Sequence, residues 1–334
     1  MELNVIWFIL LTVLFVGFFF LEGFDYGVGV LLPFLGKNDL ERRIIINTIG
    51  PVWDGNEVWM ITAGGAMFAA FPHVYATLFS GFYLALFLML VALIARGVAF
   101  EFRSKENYPE WRASWDWLIF FGSVIPAILW GVAVTNLIQG VPIDAKMHYV
   151  GSFFDLLSPY TLVGGLTFLA VFSYHGAVYL GLKTEGVLLE RAHKAALVAG
   201  IFAAVTCLTL VGLTYVKTDL FKSFAAGASL WAAVVSFVVS YTLVKLNRIG
   251  WGFIFSGLTI LLTTVAFFLG LFPRLMVSNL NPAWSLTIHN ASSSPYTLKL
   301  MTVAAFILVP IVLAYQAWSY WVFRQRISGK HLEY

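Results

Sequence analysis

Nine stretches of mostly apolar residues, each long enough to cross a bilayer, dictate what this 334-residue chain can become. They fall at about 5–34, 50–71, 76–100, 115–136, 160–181, 193–215, 224–244, 252–271 and 299–323. About 20 apolar residues suffice to span the hydrocarbon core, so the first stretch is expected to tilt or protrude. It has no basic leader and no small-residue cleavage site, and is expected to be retained rather than removed as a signal peptide. Lipid supplies no water to backbone polar groups, so only helices and closed barrels can span it. Strand-type alternation is absent, and the reading is all-α: a polytopic integral membrane protein forming a single membrane domain over 1–334. Within it, 1–136 holds helices one to four with the polar residues, 160–271 helices five to eight, and 299–323 helix nine. Composition excludes a soluble enzyme: 60% of residues are hydrophobic and 11% charged, against about 25% charged in soluble domains.

Lys and Arg orient the spans. With the amino terminus outside, the inner ends and loops hold Lys37, Arg42, Arg43, Arg96, Arg103, Lys105, Arg112, Lys183, Arg191, Lys194, Lys245, Arg248, Arg324, Arg326 and Lys330, fifteen of the 20 basic residues. The outer side keeps Lys146, Lys217, Lys222, Arg274 and Lys299. Positive charge favours the cytoplasmic side, and an odd number of spans then leaves the carboxyl terminus inside. The loops near 137–159 and 272–298 fall outside. Pro126 and Pro310 lie within helices and are expected to kink them. The clusters Trp111/Trp115/Trp117 and Trp318/Tyr320/Trp321 suit interfacial anchoring.

A faint repeat is visible. Glu22-Gly23-Phe24-Asp25-Tyr26 in helix one parallels His175-Gly176-Ala177-Val178-Tyr179 in helix five, and each precedes an acidic–basic pair, Glu41-Arg42 or Glu190-Arg191. Helices one and five run the same way, which gives two parallel four-helix repeats plus a ninth helix.

Within this apolar chain the stretch from Glu22 to Arg103 keeps Glu22, Asp25, Asp54, Asn56, Glu57, Arg96, Glu101 and Arg103. An ionisable group at the centre of a bilayer costs roughly 2.5–3.5 kcal/mol on insertion scales. Asp25 stands roughly 15 Å from the inner end of helix one at 1.5 Å per residue, with Glu22 a turn further out on the same face. Asp54 and Glu57 are expected one and two turns in from the inner surface on helix two. Arg96 comes near the inner end of helix three, with Glu101 and Lys105 just beyond. Two roles compete: Arg96 neutralises Asp25 or Asp54 and the rest fixes helix register, or carboxyls at graded depth conduct protons from the cytoplasm.

Other candidates are blander. Gly64-Gly65-Ala66 with Ala63, Ala69 and Ala70 give helix two a small-residue face suited to close packing, or to the approach of a flat cofactor or partner helix. The lone Cys207 excludes an intrachain disulfide and a Cys-rich metal site, and suits a small buried hydrophobe. Haem ligands are usually histidines. His73, His148, His193, His289 and His331 fall at helix ends, in loops or in the tail, and only His175 lies inside a helix. No haem ligation, no metal site and no catalytic residue are expected in this chain, and His175 is read as a hydrogen-bonded core residue.

The ordered blocks then resemble a known family. Gly23-Phe24-Asp25-Tyr26-Gly27-Val28-Gly29, Phe34 through Arg43, Trp53-Asp54-Gly55-Asn56-Glu57-Val58-Trp59 and Ile61 through Ala70 resemble subunit II of bacterial cytochrome bd-type quinol oxidases. Phe79 through Tyr83, Arg96 through Arg103, Trp115-Asp116-Trp117, Asn136 through Pro142, Asn290 through Ser294 and Leu308 through Ile311 follow in order. The resemblance spans essentially the whole chain. It implies a bacterial plasma-membrane enzyme that oxidises quinol, ubiquinol or menaquinol, and reduces dioxygen to water. Haem b and haem d are implied in subunit I together with the quinol site, this chain being its haem-free partner, often joined by a short single-helix accessory subunit. Carried over by motif, the proton path falls on Asp25, Asp54, Glu101 and Lys105, the charge partner on Arg96, and the contact with the haem subunit on Trp53 and Asp54. Some family members carry Asp in place of Glu101 and Gln in place of Glu57, and the second difference adds a carboxyl here. The alternatives are a secondary transporter, which also uses repeats and midplane charges, and a purely structural assembly subunit.

Overall fold

The structure, a computed structural model, describes residues 2–329; Lys330 and His331, both used above, lie outside the described residues. Eleven α-helices carry the described chain: α1 (Leu3–Leu35), α2 (Asp39–Ile49), α3 (Trp53–Ala70), α4 (Pro72–Gly81), α5 (Tyr83–Phe102), α6 (Pro109–Gln139), α7 (Pro159–Lys183), α8 (Gly186–Lys217), α9 (Phe224–Lys245), α10 (Ile249–Leu271) and α11 (Pro295–Val322). A two-stranded ribbon, β1 (Arg274–Met276) with β2 (Leu286–Thr287), stiffens the loop before α11. Local sequence marks several helix starts. Asn38, Ser158 and Ser294 cap α2, α7 and α11 through their side chains, and proline opens α4, α6, α7 and α11, where its missing N–H costs nothing.

Eight of these helices are long and apolar enough to cross a membrane: α1, α5, α6, α7, α8, α9, α10 and α11. The chain is therefore a multi-pass, all-α membrane protein. Two expected spans differ in detail. The run at 50–71 becomes α3, which has 18 residues and opens on Trp53-Asp54-Gly55-Asn56-Glu57, too polar at its start to count with the other eight. Ahead of it α2 climbs beside α1 and α7, burying Ile45, Ile46 and Ile49, and the Tyr179 hydroxyl donates to the Thr48 carbonyl at 2.9 Å. The run at 76–100 is broken at Phe82 into α4 and α5. Pro126 and Pro310 lie inside α6 and α11 as expected, and Pro33 lies inside α1.

α1 is the hub, packing on α3, α6, α7 and α10. Its crossing with α7 is a backbone contact. A Cβ at Gly27 would lie 1.9 Å from the Phe172 carbonyl oxygen, and one at Gly176 would lie 2.4 Å from the Gly27 carbonyl carbon. Only glycine permits that approach. At one end of the bundle, the loop after α6 joins the loop before α11, with Ser278 donating to the Ile143 carbonyl and Asn4 of α1 reaching Ile288. The opposite end gathers the turns that follow α1, α5 and α7, where Arg103 meets Asp39 and Arg191 meets Glu41.

Candidate functional site: a buried carboxyl cluster around Arg96

The cluster is built where α1, α3, α5 and α6 meet. Arg96, on α5, is wholly buried, and its guanidinium is bonded on three sides. Nε donates to Ser123 Oγ of α6 at 3.2 Å, Nη1 to Glu57 Oε1 of α3 at 2.9 Å, and Nη2 to Asp25 Oδ1 of α1. The aromatic faces of Tyr26 and Phe100 lie 5.2 and 5.1 Å from the guanidinium carbon, within the range of cation–π attraction. Gly122 makes room for it, since a Cβ there would lie 2.6 Å from Arg96 Cβ.

Asp25 is equally buried, and its second oxygen accepts from Asn56 Nδ2 at 2.9 Å. Asn56 in turn accepts from the Tyr320 hydroxyl of α11 at 2.6 Å. A continuous hydrogen-bonded chain thus runs Tyr320–Asn56–Asp25–Arg96–Glu57. Glu57 retains 16% side-chain exposure, the one member of the Asp25–Arg96–Glu57 triad that meets the outside. Glu22, a turn from Asp25, has no exposure, and neither of its carboxyl oxygens accepts a hydrogen bond of ordinary length; the Tyr26 hydroxyl, which has no other partner, is the side-chain donor nearest it. One guanidinium therefore serves a pocket with three carboxyls, a set that can hold and exchange protons.

The other predicted residues sit around this centre. Arg96 pairs with Asp25, not Asp54, and adds Glu57. Because Asn56 reaches Asp25, α3 begins beside the middle of the cluster, and Asp54 lies in the first turn of α3. Its side chain is exposed and forms no ion pair with another described residue. Glu101 and Lys105 are exposed at the end of α5 and in the turn after it. Trp53 is half-buried, its ring 5.2 Å from that of Phe100 and close against Gly97.

Spacing along the sequence missed a second charged network, at the end of the bundle that α1 and α5 reach. Buried Asp116 accepts from Arg103 at 2.6 Å and Arg42 at 2.8 Å, while Asp39 accepts from Arg103 and Arg112 at 3.1 and 2.8 Å. Asp116 is flanked by Trp115 and Trp117, whose rings suit interfacial anchoring and hide the carboxyl between them in the sequence. Asn56 was visible as a polar residue, but its role as bridge between Asp25 and Tyr320 depends on where α11 lies.

The small-residue face of α3 divides. Ala63 and Ala70 are fully packed, whereas a Cβ at Gly64 or Gly65 would meet nothing within 4 Å. Close packing within the chain thus explains the alanines and not the glycines, which line an apolar cavity of about 650 Å³ with Met60, Phe68, Leu86 and Leu90. Cys207 is half-buried and lines a second apolar cavity of about 380 Å³ between α7, α8, α9 and α10.

His73 and His193 also lie within helices, α4 and α8, but His175 is the one buried histidine among the described residues. It is buried against the face of Phe253, with Nδ1 2.7 Å from Ser256 Oγ and Nε2 3.3 Å from the Phe20 carbonyl. Both ring nitrogens are engaged, so the donor set does not fit haem ligation. No group of three His, Cys, Asp or Glu residues placed to hold a metal occurs among the described residues.

Comparison with known proteins bears on the whole chain. The family model described as cytochrome bd terminal oxidase subunit II matches residues 3–323. Cytochrome bd ubiquinol oxidase subunit 2 of Bacillus subtilis (strain 168) is 46% identical over 333 residues, covering 98% of each chain. Cytochrome bd-I ubiquinol oxidase subunit 2 of Escherichia coli (strain K12) is 40% identical over 367 residues, covering 99% of this chain and 97% of that one. A chain of the bd oxidase structure from Geobacillus thermodenitrificans superposes with a TM-score of 0.77 at 18% identity, covering 97% of this chain and 99% of that one, and shares the fold.

Proposed function

This chain belongs to the cytochrome bd terminal oxidase subunit II family, and from that premise we propose that its first helices deliver protons to an oxygen-reducing partner. It is a subunit of a quinol oxidase, an oxidoreductase complex of the respiratory chain that contains haem. Haem b and haem d belong to the partner, subunit I, where quinol is oxidised and dioxygen is reduced to water. This chain supplies a scaffold and a proton entry from the cytoplasm. A short single-helix accessory subunit completes the complex in the bacterial plasma membrane.

Glu101 and Lys105 form the mouth, Asp54 and Glu57 the wall, and Asp25 the buried end of the path, with Arg96 holding its charge. Trp53 and Asp54 face the haem subunit. The observation that carries this reading is the Asp25–Arg96–Glu57 triad, whose one outward-facing member lies a turn from Asp54. Asp54 itself is exposed beside exposed Val58 and Ile61. A carboxylate on an apolar face at that depth is costly in lipid, which supports a protein neighbour.

The membrane arrangement that goes with this reading has nine crossings, α3 making the second and the end of α4 with α5 the third. The amino terminus lies outside and the carboxyl terminus inside, within a single membrane domain. Two parallel four-helix repeats and a ninth helix, α11, compose it. The basic-residue asymmetry supports the orientation. In support of the repeat, α1 packs on α10 as α7 packs on α6.

Asp54→Asn tests the function. Oxygen-reduction turnover of the purified complex is expected to fall while its visible spectrum shows full haem content. Full turnover at normal haem content removes Asp54 from the path. The role of a purely structural subunit draws on the three hydrogen bonds that tie Arg96 to α1, α3 and α6, and predicts that full turnover.

A further inference from the structure

Glu22 is the group in the cluster that the hydrogen-bonding pattern leaves over. Its side chain is wholly buried in α1, and no described donor makes a hydrogen bond of ordinary length to either oxygen, the Tyr26 hydroxyl being the one side-chain donor placed near it. The guanidinium nearest in the cluster is already committed to Ser123, Glu57 and Asp25. The charged and titratable groups in electrostatic reach of Glu22 are Asp25 and Tyr26 on α1, Glu57 on α3, Arg96 on α5 and Tyr320 on α11. Asp25 and Glu57 would repel an ionised Glu22, and the single cation is paired with both of them. An ionised carboxylate in an apolar interior with no more than one hydroxyl to bind it is far costlier than a neutral acid.

We propose that Glu22 is a proton-storage site, a carboxylic acid that carries its proton in the resting complex and exchanges it with Asp25 or Glu57. This rests on the proton-delivery reading above and adds a residue to it. In the exchange, the O–H bond at the Glu22 carboxyl breaks and one forms on the neighbouring carboxylate. The proton count of the pocket is unchanged until a further proton enters from the Glu57 side. The Tyr26 hydroxyl, at i+4 on the same helix face and the side-chain donor nearest the Glu22 carboxyl, is the bridge across which that proton passes.

Infrared spectroscopy of the complete complex in H2O and D2O tests it. The wild type is expected to show a protonated-carboxyl C=O band that shifts in D2O, is lost in Glu22→Gln and moves in Glu22→Asp. The same band should change between the reduced and oxygen-treated enzyme. Glu22→Gln should assemble with normal haem content, since a neutral amide replaces a neutral acid, and turn over several-fold more slowly. Three results would each overturn the proposal: a carboxyl band identical in wild type and Glu22→Gln, a Glu22 band indifferent to redox state, or failure of Glu22→Gln to assemble. Asp54→Asn separates the two claims. Full turnover there, with the Glu22 band behaving as expected, removes Asp54 from the path while the stored proton stands.

Discussion

Arg96 is asked to serve more carboxyls than one cation can neutralise, and the fold answers by distributing its donors. Asp25 and Glu57 each take one arm and Ser123 takes Nε, so removing the guanidinium strands two acids in an apolar interior. Breaking a buried pair in this way costs about 3–5 kcal/mol. Arg96→Leu is therefore expected to cut the yield of haem-containing complex sharply, measured by the absorbance of material purified through this chain. Asp25→Asn should be milder, because an amide still accepts from Asn56 and Arg96 keeps Glu57. Yields that rank the other way would place the stabilising charge elsewhere.

At the scale of elements, two contacts lock the bundle. The first is the glycine crossing of α1 and α7, where Gly176→Val must push backbone from backbone. A fall of several degrees in the unfolding temperature of the complex is expected, against little change for Gly212→Ala, whose Cβ would meet open space. The second ties α2 to α8. Burial raises the Glu41 carboxyl, but the Lys37 backbone N–H at 2.8 Å and the Arg191 guanidinium at 2.6 Å outweigh it and hold the group below its ordinary range. A carboxyl lowered in the folded state contributes stability above its unfolded value of about 4.3, and the contribution is lost as pH falls through the lower folded value. The gap in unfolding temperature between wild type and Glu41→Gln should therefore be present at neutral pH and close in acid.

For the molecule as a whole, the question is what covers its apolar surface. α11 has Leu298 as its one buried residue, and the α3–α5 face exposes Val58, Ile61, Leu84, Leu88 and Ile94. Lipid suits an all-apolar surface, whereas the α3 side also presents Asp54 and the unfilled Gly64–Gly65 face. On the proposed reading, that combination is what turns the α3–α5 side toward the haem-bearing partner. A cysteine introduced by Ile61→Cys, in a Cys207→Ser background, should cross-link to the partner with a short bifunctional reagent, while Phe306→Cys on α11 should not. Cross-linking only from α11 would move the interface there.

The sequence by itself determined that the chain lives in a membrane, that it is helical, and which residues are too polar for lipid to tolerate unassisted. Those follow from bilayer thickness and desolvation cost, which act on any stretch irrespective of its neighbours. It also carried motifs dense enough to identify the family. Only the tertiary structure decided that Arg96 takes Asp25 and Glu57 rather than Asp54, that Asn56 joins Asp25 to Tyr320, and that Glu22 is left with no donor nearer than the Tyr26 hydroxyl. Spacing gives the face and approximate depth of a residue on its own helix. Which charge it meets depends on how far the next helix slides and turns, and here α2 climbing beside α1 carries the start of α3 into the heart of the cluster.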